Sequence, residues 1–438
     1  MSKWLKKTLS EADLQIIDGD RGKNYPSKND FSEDGFCLFL NAGNVTLRGF
    51  DFSNTMFIDE ERDKLLRKGK IQRGDVILTT RGTVGNVAYY ENDVDFEHIR
   101  INSGMVIIRT VAKQLDPRFV YFFLRSRLFA NQVKALTTGS AQPQLPIRDM
   151  FRISMPNPPI CEQVKIASVL GALDDKIENN RRMNKTLEEM ARAIFKSWFL
   201  DFDPVHAKVA GNAPAHMDAE TAALFPSLFG GDGLPNGWRF STIEANGVVI
   251  TGKTPSTKRP EYYGNEYPFI KIPNMASVWV TETETALSEA GHLTQSNKLL
   301  PKGTVIVSCI ASPGEVSIVS KPSHTNQQVN AVVPNEKCPT SWLYCALANL
   351  RPEIIGMASG GSVTPNLNKG DFSRIKVIHP SNALMCSFDK NVRSLFDKIL
   401  SNEDENQILT ELRDTLLPKL MSGEIRVKDA EREVEAAI

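Results

Sequence analysis

Arginine and lysine can place paired donors on guanine O6 and N7, and asparagine and glutamine can do the same on adenine N6 and N7. Side chains of these types recur in polar loops of this sequence, beside glycines that let a backbone approach a ligand closely. Arg81 and Thr83 lie in Thr79-Thr80-Arg81-Gly82-Thr83. Gln142 and Gln144 flank Pro143, and Thr364 and Asn366 take the matching places in a second copy of the same loop. Lys23, Asn24 and Tyr25 occupy another polar loop, answered by Lys253, Thr254, Ser256 and Lys258. Together they are the candidates for contact with DNA. Each has a plainer reading: Arg81 as an ordinary surface arginine, the 142–144 loop as a phosphate contact, a contact for a helper protein or a turn, and the lysine loops as solvated chain. Phosphate contacts position a protein on the duplex without reading its sequence.

Signatures of catalysis are missing where they would be needed. No G-x-x-x-x-G-K-[ST] loop is present to cradle a nucleotide. Asn157-Pro158-Pro159 resembles the tetrapeptide with which amino-methyltransferases hold a flipped base. Here Ile160 replaces the aromatic residue and no glycine-rich methyl-donor loop precedes it, so the triplet reads as a proline-rich helix start. The six cysteines (Cys37, Cys161, Cys309, Cys338, Cys345, Cys386) form no C-x-x-C or Cys/His cluster. That argues against structural zinc and for a reducing cytoplasm. Neither a signal peptide nor a long uncharged apolar run is seen, so a membrane is not expected as partner.

The elements that must hold these loops come in two copies. Gly139-Ser140-Ala141-Gln142-Pro143-Gln144-Leu145 returns as Gly361-Ser362-Val363-Thr364-Pro365-Asn366-Leu367. The same offset carries Asp149 onto Asp371, Arg152 onto Arg374 and Pro158 onto Pro380, and continues without a gap through the next helix. Upstream, Arg73-Gly74-Asp75-Val76-Ile77-Leu78 matches Lys302-Gly303-Thr304-Val305-Ile306-Val307, while the loops between such anchors differ. The framework repeats and the loop content does not, as expected if each copy reads a different target. Val76–Leu78, Val87–Tyr90 and Met105–Ile108 read as strands, and Pro117 to Leu136 as one helix.

From Ile166 the apolar positions step by four and three through Leu170, Leu173, Ile177, Asn180, Asn184, Leu187, Ala191, Ile194 and Trp198. The second copy runs Phe388, Val392, Leu395, Ile399, Asn402, Asn406, Leu409, Arg413, Leu416, Leu420. This 3.5-residue repeat predicts a coiled-coil seam with two asparagines at its middle, a residue that fixes register because its amide needs a polar partner. Antiparallel pairing about a two-fold near residue 182 would set Asn180 against Asn406 and Asn184 against Asn402. Ile166 to Trp198 would span roughly 48 Å, more than the ~34 Å of one turn of B-DNA.

The fold class is therefore mixed α/β (α+β), two similar domains and two long antiparallel helices with an internal pseudo-two-fold repeat. The expected segments are 1–155 and 234–380 as the two variable domains, 156–200 and 381–426 as the long helices, 201–233 as a linker rich in Ala, Gly, Pro and Asp, and 427–438 as a charged tail. Charge follows this division. The 52 Lys+Arg and 52 Asp+Glu cancel overall, but residues 1–150 carry 22 against 19 and residues 236–380 carry 13 against 10. The variable domains are mildly basic and the helical regions acidic, fitting DNA contact by the first and protein contact by the second.

The order of these parts resembles the specificity (S) subunit of type I restriction-modification enzymes over the whole chain. The resemblance rests on Pro158-Pro159-Ile160-Cys161-Glu162-Gln163, Leu173-Asp174-Asp175-Lys176-Ile177 and Trp198-Phe199-Leu200-Asp201-Phe202-Asp203-Pro204-Val205 around the first helix. It rests also on Leu234-Pro235-Asn236-Gly237-Trp238, Gly252-Lys253-Thr254-Pro255-Ser256 and the C-terminal Leu417-Pro418-Lys419-Leu420-Met421-Ser422-Gly423. It implies two target-recognition domains, each reading one half of a split, asymmetric double-stranded DNA sequence. It implies helices that dock two methyltransferase (modification) subunits and, through them, two restriction (motor-nuclease) subunits. S-adenosylmethionine, ATP and Mg²⁺ would be used by those partners, with no cofactor bound by this chain and no catalysis of its own. Two other readings stand beside it: a self-sufficient methyltransferase or nuclease, whose motifs are absent, and a non-reading scaffold or orphan subunit of a methylation-only complex.

Overall fold

The structure, a computed structural model, describes residues 4–111, 114–139, 143–359 and 365–436. The chain falls into two units, residues 1–176 with 408–438, and residues 177–407. Both boundaries lie inside long helices, Ile160–Phe199 (the central helix) and Asn382–Ser422 (the C-terminal helix).

In the first unit, four antiparallel strands lie in the order Leu14–Asp18, Met105–Thr110, Val76–Thr79, Val87–Tyr89. Val76-Ile77-Leu78 and Met105-Val106-Ile107-Ile108 are buried on both faces, which is why they read as unbroken apolar runs. A second sheet sets Cys37–Leu40 between Phe57–Ile58 and a parallel partner, Ile99–Ile101. Lys6–Thr8 and Ser154–Pro156 close a two-stranded ribbon.

The single helix expected over 117–136 is two, Pro117–Arg125 and Arg127–Leu136. Ser126 between them is extended, and its hydroxyl accepts the Phe129 N–H. A serine competes well for exposed helix donors, so it can begin a new helix inside an apolar run. The break lets Phe119, Phe122, Phe123 and Phe129 all reach the core.

The second unit repeats this plan. Gly247–Thr251, Val329–Pro334, Val305–Ser308 and Val316–Val319 lie antiparallel in the matching order, with Trp279–Val280 added parallel at the edge. A second sheet orders Tyr263–Gly264, Ala286–Leu287, Tyr267–Ile270 and His324–Thr325, and Arg239–Thr242 pairs with Lys376–His379. Residues 201–233, read as a linker, hold the helices Asp203–Val209 and Ala219–Ala223. Val205 and Phe225 are buried, and Phe225 meets Trp198 edge-on at 5.2 Å. Phe202, Met217 and Phe229 pack against the same core, and composition hides this anchoring because so few apolar side chains suffice for it. The tail forms the helix Val427–Glu435, with Val427 and Ala430 buried in the first unit.

Both heptad seams are turned inward. Ile166, Leu170, Leu173, Leu409, Leu416 and Leu420 are buried in the first unit, and Ile177, Ala191, Phe388, Val392 and Ile399 in the second. The helices are antiparallel: the Asn180 amide donates to Asn406 Oδ1 at 3.1 Å and the Asn402 amide to Asn184 Oδ1 at 2.8 Å. Glu405 and Glu403 accept the Asn180 and Asn184 amides at 2.7 and 2.8 Å.

Candidate nucleic-acid interface

In the first unit, the loop after Val76–Thr79 is held from beneath by Gly104, whose carbonyl accepts the N–H groups of Thr80 (2.8 Å) and Arg81 (3.2 Å). The repeated loop closes on it from the side. Gln144 exchanges backbone hydrogen bonds with Thr138 and bridges to Arg81, and Leu145 N donates to the Thr80 carbonyl at 2.9 Å. Arg81 and Gln144, 63 positions apart in sequence, thus become neighbours. Neither side chain has a hydrogen-bond or ion-pair partner among the described residues, so both keep their donors for a ligand. Thr83 is exposed, and its carbonyl accepts the Thr79 hydroxyl. Gln142 and Thr364 lie outside the described residues.

The second unit builds the same loop from other side chains. Ile310 bridges to Asn366 as Arg81 does to Gln144, and Leu367 N donates to the Cys309 carbonyl at 2.8 Å. Gly82 (φ 73°) is answered by Ala311 (φ 66°), and Gly85 (φ 101°) by Gly314 (φ 95°). The backbone path is kept even where it forces an alanine into the left-handed region, at a cost of about 1–2 kcal/mol. Asn366 is exposed, while its backbone N–H binds Ala358.

The matched lysine loops differ in character. Lys23 is exposed, but the Asn24 amide donates to the Leu65 carbonyl (3.2 Å) and the Tyr25 ring packs edge-on against Phe39 (5.7 Å). These two side chains serve the fold. In the second unit, Gly252 is wedged where a Cβ would lie 2.1 Å from the Asn326 carbonyl oxygen. Lys253 follows, exposed, and Thr254 donates to Gln327. Ser256 and Lys258 are exposed. Burial, with Lys253 and Lys369 close by, holds the Lys298 ammonium below its usual range, while Lys298 donates to the Thr251 carbonyl at 2.6 Å. Lys253 and Lys369 thus add positive charge around Lys298, and positive charge favours phosphate. Lys253 lies in a loop repeated in sequence, whereas Lys298 and Lys369 carry no shared motif.

Asn157-Pro158-Pro159 is a helix start. Gln163, buried, donates its amide to the Pro158 carbonyl (2.9 Å) and accepts the Asp116 N–H (3.0 Å), so the triplet is tied into the start of the central helix. Among the described residues no cluster of three His, Cys, Asp or Glu could hold a metal ion. All six cysteines are free, and among the described residues no helix is long and apolar enough to cross a membrane.

The family model for the type I restriction modification DNA specificity domain matches residues 1–189 and 235–412. The chain is 34% identical to the specificity subunit of the type I restriction enzyme HindI from Haemophilus influenzae, across 97% of this chain and 100% of that one. It is 27% identical to the MjaIX specificity subunit from Methanocaldococcus jannaschii, across 82% and 79% of the two chains. The crystal structure of a type I restriction-modification S subunit from M. genitalium shares the fold, with a TM-score of 0.54 at 19% identity over 96% of each chain. With a framework built twice and different side chains at matching loop positions, the chain belongs to the specificity subunits of type I restriction-modification systems, the non-catalytic component that determines DNA target recognition.

Proposed function

We propose that each unit reads one half of a split, asymmetric DNA target, and that the paired helices fix the spacing between halves. The observation that carries this reading is the shared loop framework with Arg81 and Gln144 in one copy and Ile310 and Asn366 in the other. Arg81 suits guanine and Gln144 adenine, whereas Ile310 offers only apolar contact, as to a thymine methyl. Lys23, Thr83, Lys253, Thr254, Ser256, Lys258, Lys298 and Lys369 would meet phosphates and set the docking register. Gln142 and Thr364 would join these contacts by their place in the repeated sequence.

The asparagine pairs Asn180–Asn406 and Asn184–Asn402 would lock the two helices in one register, since any slip strands a buried amide. The acidic helical regions would dock two methyltransferase subunits and, through them, two restriction subunits. S-adenosylmethionine, ATP and Mg²⁺ would serve those partners.

Co-expression with the cognate modification subunit, followed by long-read mapping of modified bases, tests the reading. A new bipartite motif with N6-methyladenine in both halves supports it. A stable complex without new methylation would leave a scaffold that reads nothing.

A further inference from the structure

The first unit carries a projecting hairpin that no motif announces. Asn44, 2% exposed, accepts the Asn41 N–H at 2.9 Å and donates to the Asp51 and Asn54 carbonyls at 2.9 and 2.8 Å. From this clamp the hairpin Val45–Thr46 / Gly49–Phe50 projects, with Leu47 and Arg48 at its tip. The Thr46 hydroxyl donates to the Gly49 carbonyl and accepts the Arg48 N–H, both at 3.1 Å, and Gly49 takes the left-handed turn position at φ 106°. Behind the tip, Phe50 stacks on Phe52 (5.3 Å), which meets Phe96 (5.0 Å). The Asn86 amide donates to the Val45 carbonyl at 2.9 Å, tying the hairpin to the loop that carries Arg81. Leu47 lines one cleft of about 760 Å³ with residues Gly82–Asn86 of that loop and Pro143 of the repeated one.

A rigid mount usually presents a polar turn. Here it presents a leucine 81% exposed, beside an exposed arginine without a partner among the described residues. The second unit keeps part of the clamp, with a half-buried Asn274 accepting the Lys271 N–H at 2.9 Å. It then runs directly into the edge strand Trp279–Val280 and builds no hairpin. The feature is thus one unit's own, as an element specific to one target must be.

Resting on the proposal that this unit reads DNA, we infer that the Leu47–Arg48 tip enters the major groove of its half-site and reads a thymine methyl through Leu47. A two-stranded ribbon fits the ~12 Å major groove and not the ~6 Å minor groove, and the 5-methyl of thymine is the one apolar group displayed there. Arg48 reaches the adjoining base edge or phosphate and shares the groove with Arg81.

The test uses the complex with its modification subunit and duplexes of the mapped target, with each thymine of the half-site replaced in turn by deoxyuridine. At one position the wild-type complex should bind about fourfold more weakly, the worth of one buried methyl. Leu47→Ala should bind the thymine duplex weakly to a similar degree and be indifferent to that replacement, and Arg48→Ala should weaken binding without removing the methyl dependence. The replacements act on the wild-type protein, so a folding defect in a variant cannot imitate the result. The inference is overturned by a methyl dependence that persists in Leu47→Ala, by none anywhere, by a half-site without an A·T pair, or by Leu47→Ala impairing only assembly with the modification subunit. A wild-type complex that prefers no sequence at all would instead sink the DNA-reading proposal beneath it.

Discussion

Removing the Asp174 carboxylate should cost the first unit about 3 kcal/mol of stability, because that carboxylate sits between two arginines. Arg125 Nη1 donates to one oxygen at 2.5 Å and Arg413 Nη1 to the other at 2.6 Å, with the three side chains only 13–17% exposed. Arg413 occupies a seam position that is Ala191 in the other copy, so its guanidinium lies where the coiled coil would take an apolar residue. Asp174→Leu leaves two partly buried cations facing each other. Breaking such a pair from one side costs about 3–5 kcal/mol. The lower end applies because Arg413 keeps Asp414 (2.8 Å) and Arg125 keeps the Tyr121 hydroxyl (2.7 Å). For a unit of this size the loss corresponds to a fall of roughly 6–12 °C in its thermal midpoint. Differential scanning calorimetry reads it directly. Replacing all three residues by leucine should recover most of the loss, since an apolar substitute for a whole buried ion cluster is often neutral or better. Breaking the exposed Lys64–Glu60 pair, 69% and 55% exposed, should leave the thermal midpoint essentially unchanged. A loss under about 1 kcal/mol for Asp174→Leu, or a triple variant no more stable than the single, would refute the reasoning.

In the seam, Asn402→Leu should destabilise by about 1–3 kcal/mol by orphaning the Asn184 oxygen. Asn184→Leu with Asn402→Leu should melt at or above the wild-type temperature, and a double variant as unstable as the single would contradict the pairing. Ala311→Gly should raise stability by about 0.5–1 kcal/mol as the left-handed strain at φ 66° is relieved, and calorimetric destabilisation would count against it. His324, buried and 3.0 Å from His292, is held down to about pKa 4 by burial and by that neighbour. Its folded value lies below the unfolded one near 6.5, so its contribution is complete above pH 6.5 and is lost as pH falls toward 4. The second unit's melting temperature should drop across that window and His324→Phe should flatten the drop; a flat wild-type profile would contradict it.

Much of the framework was legible because periodicity reports burial. Val76-Ile77-Leu78 and Met105–Ile108 are unbroken apolar runs because both faces are covered, and the 4–3 spacing from Ile166 is visible because one stripe of helix is. Arg81 and Gln144 stood out because their loops recur and carry glycine or proline. What escaped was tertiary proximity. Lys253 and Lys369 act on Lys298 from separate segments, and Leu47 carries no signal until its hairpin is seen to project. Asn24 and Tyr25 misled in the other direction, since polar character suggests an outward role while the Asn24 amide binds Leu65 and the Tyr25 ring covers Phe39. The serine that splits residues 117–136 and the few apolar side chains that anchor residues 201–233 were missed because single residues outweighed average composition.

The central claim, that two units read two halves independently, is tested most directly by one selection. Duplexes bound by the complex are recovered from a randomised pool and sequenced, with wild-type chain and with Arg81→Ala. The account predicts a bipartite preference for the wild type, and for Arg81→Ala a relaxed position in one half with the other half unchanged. Changes spread over both halves, or an unaltered motif, would contradict it.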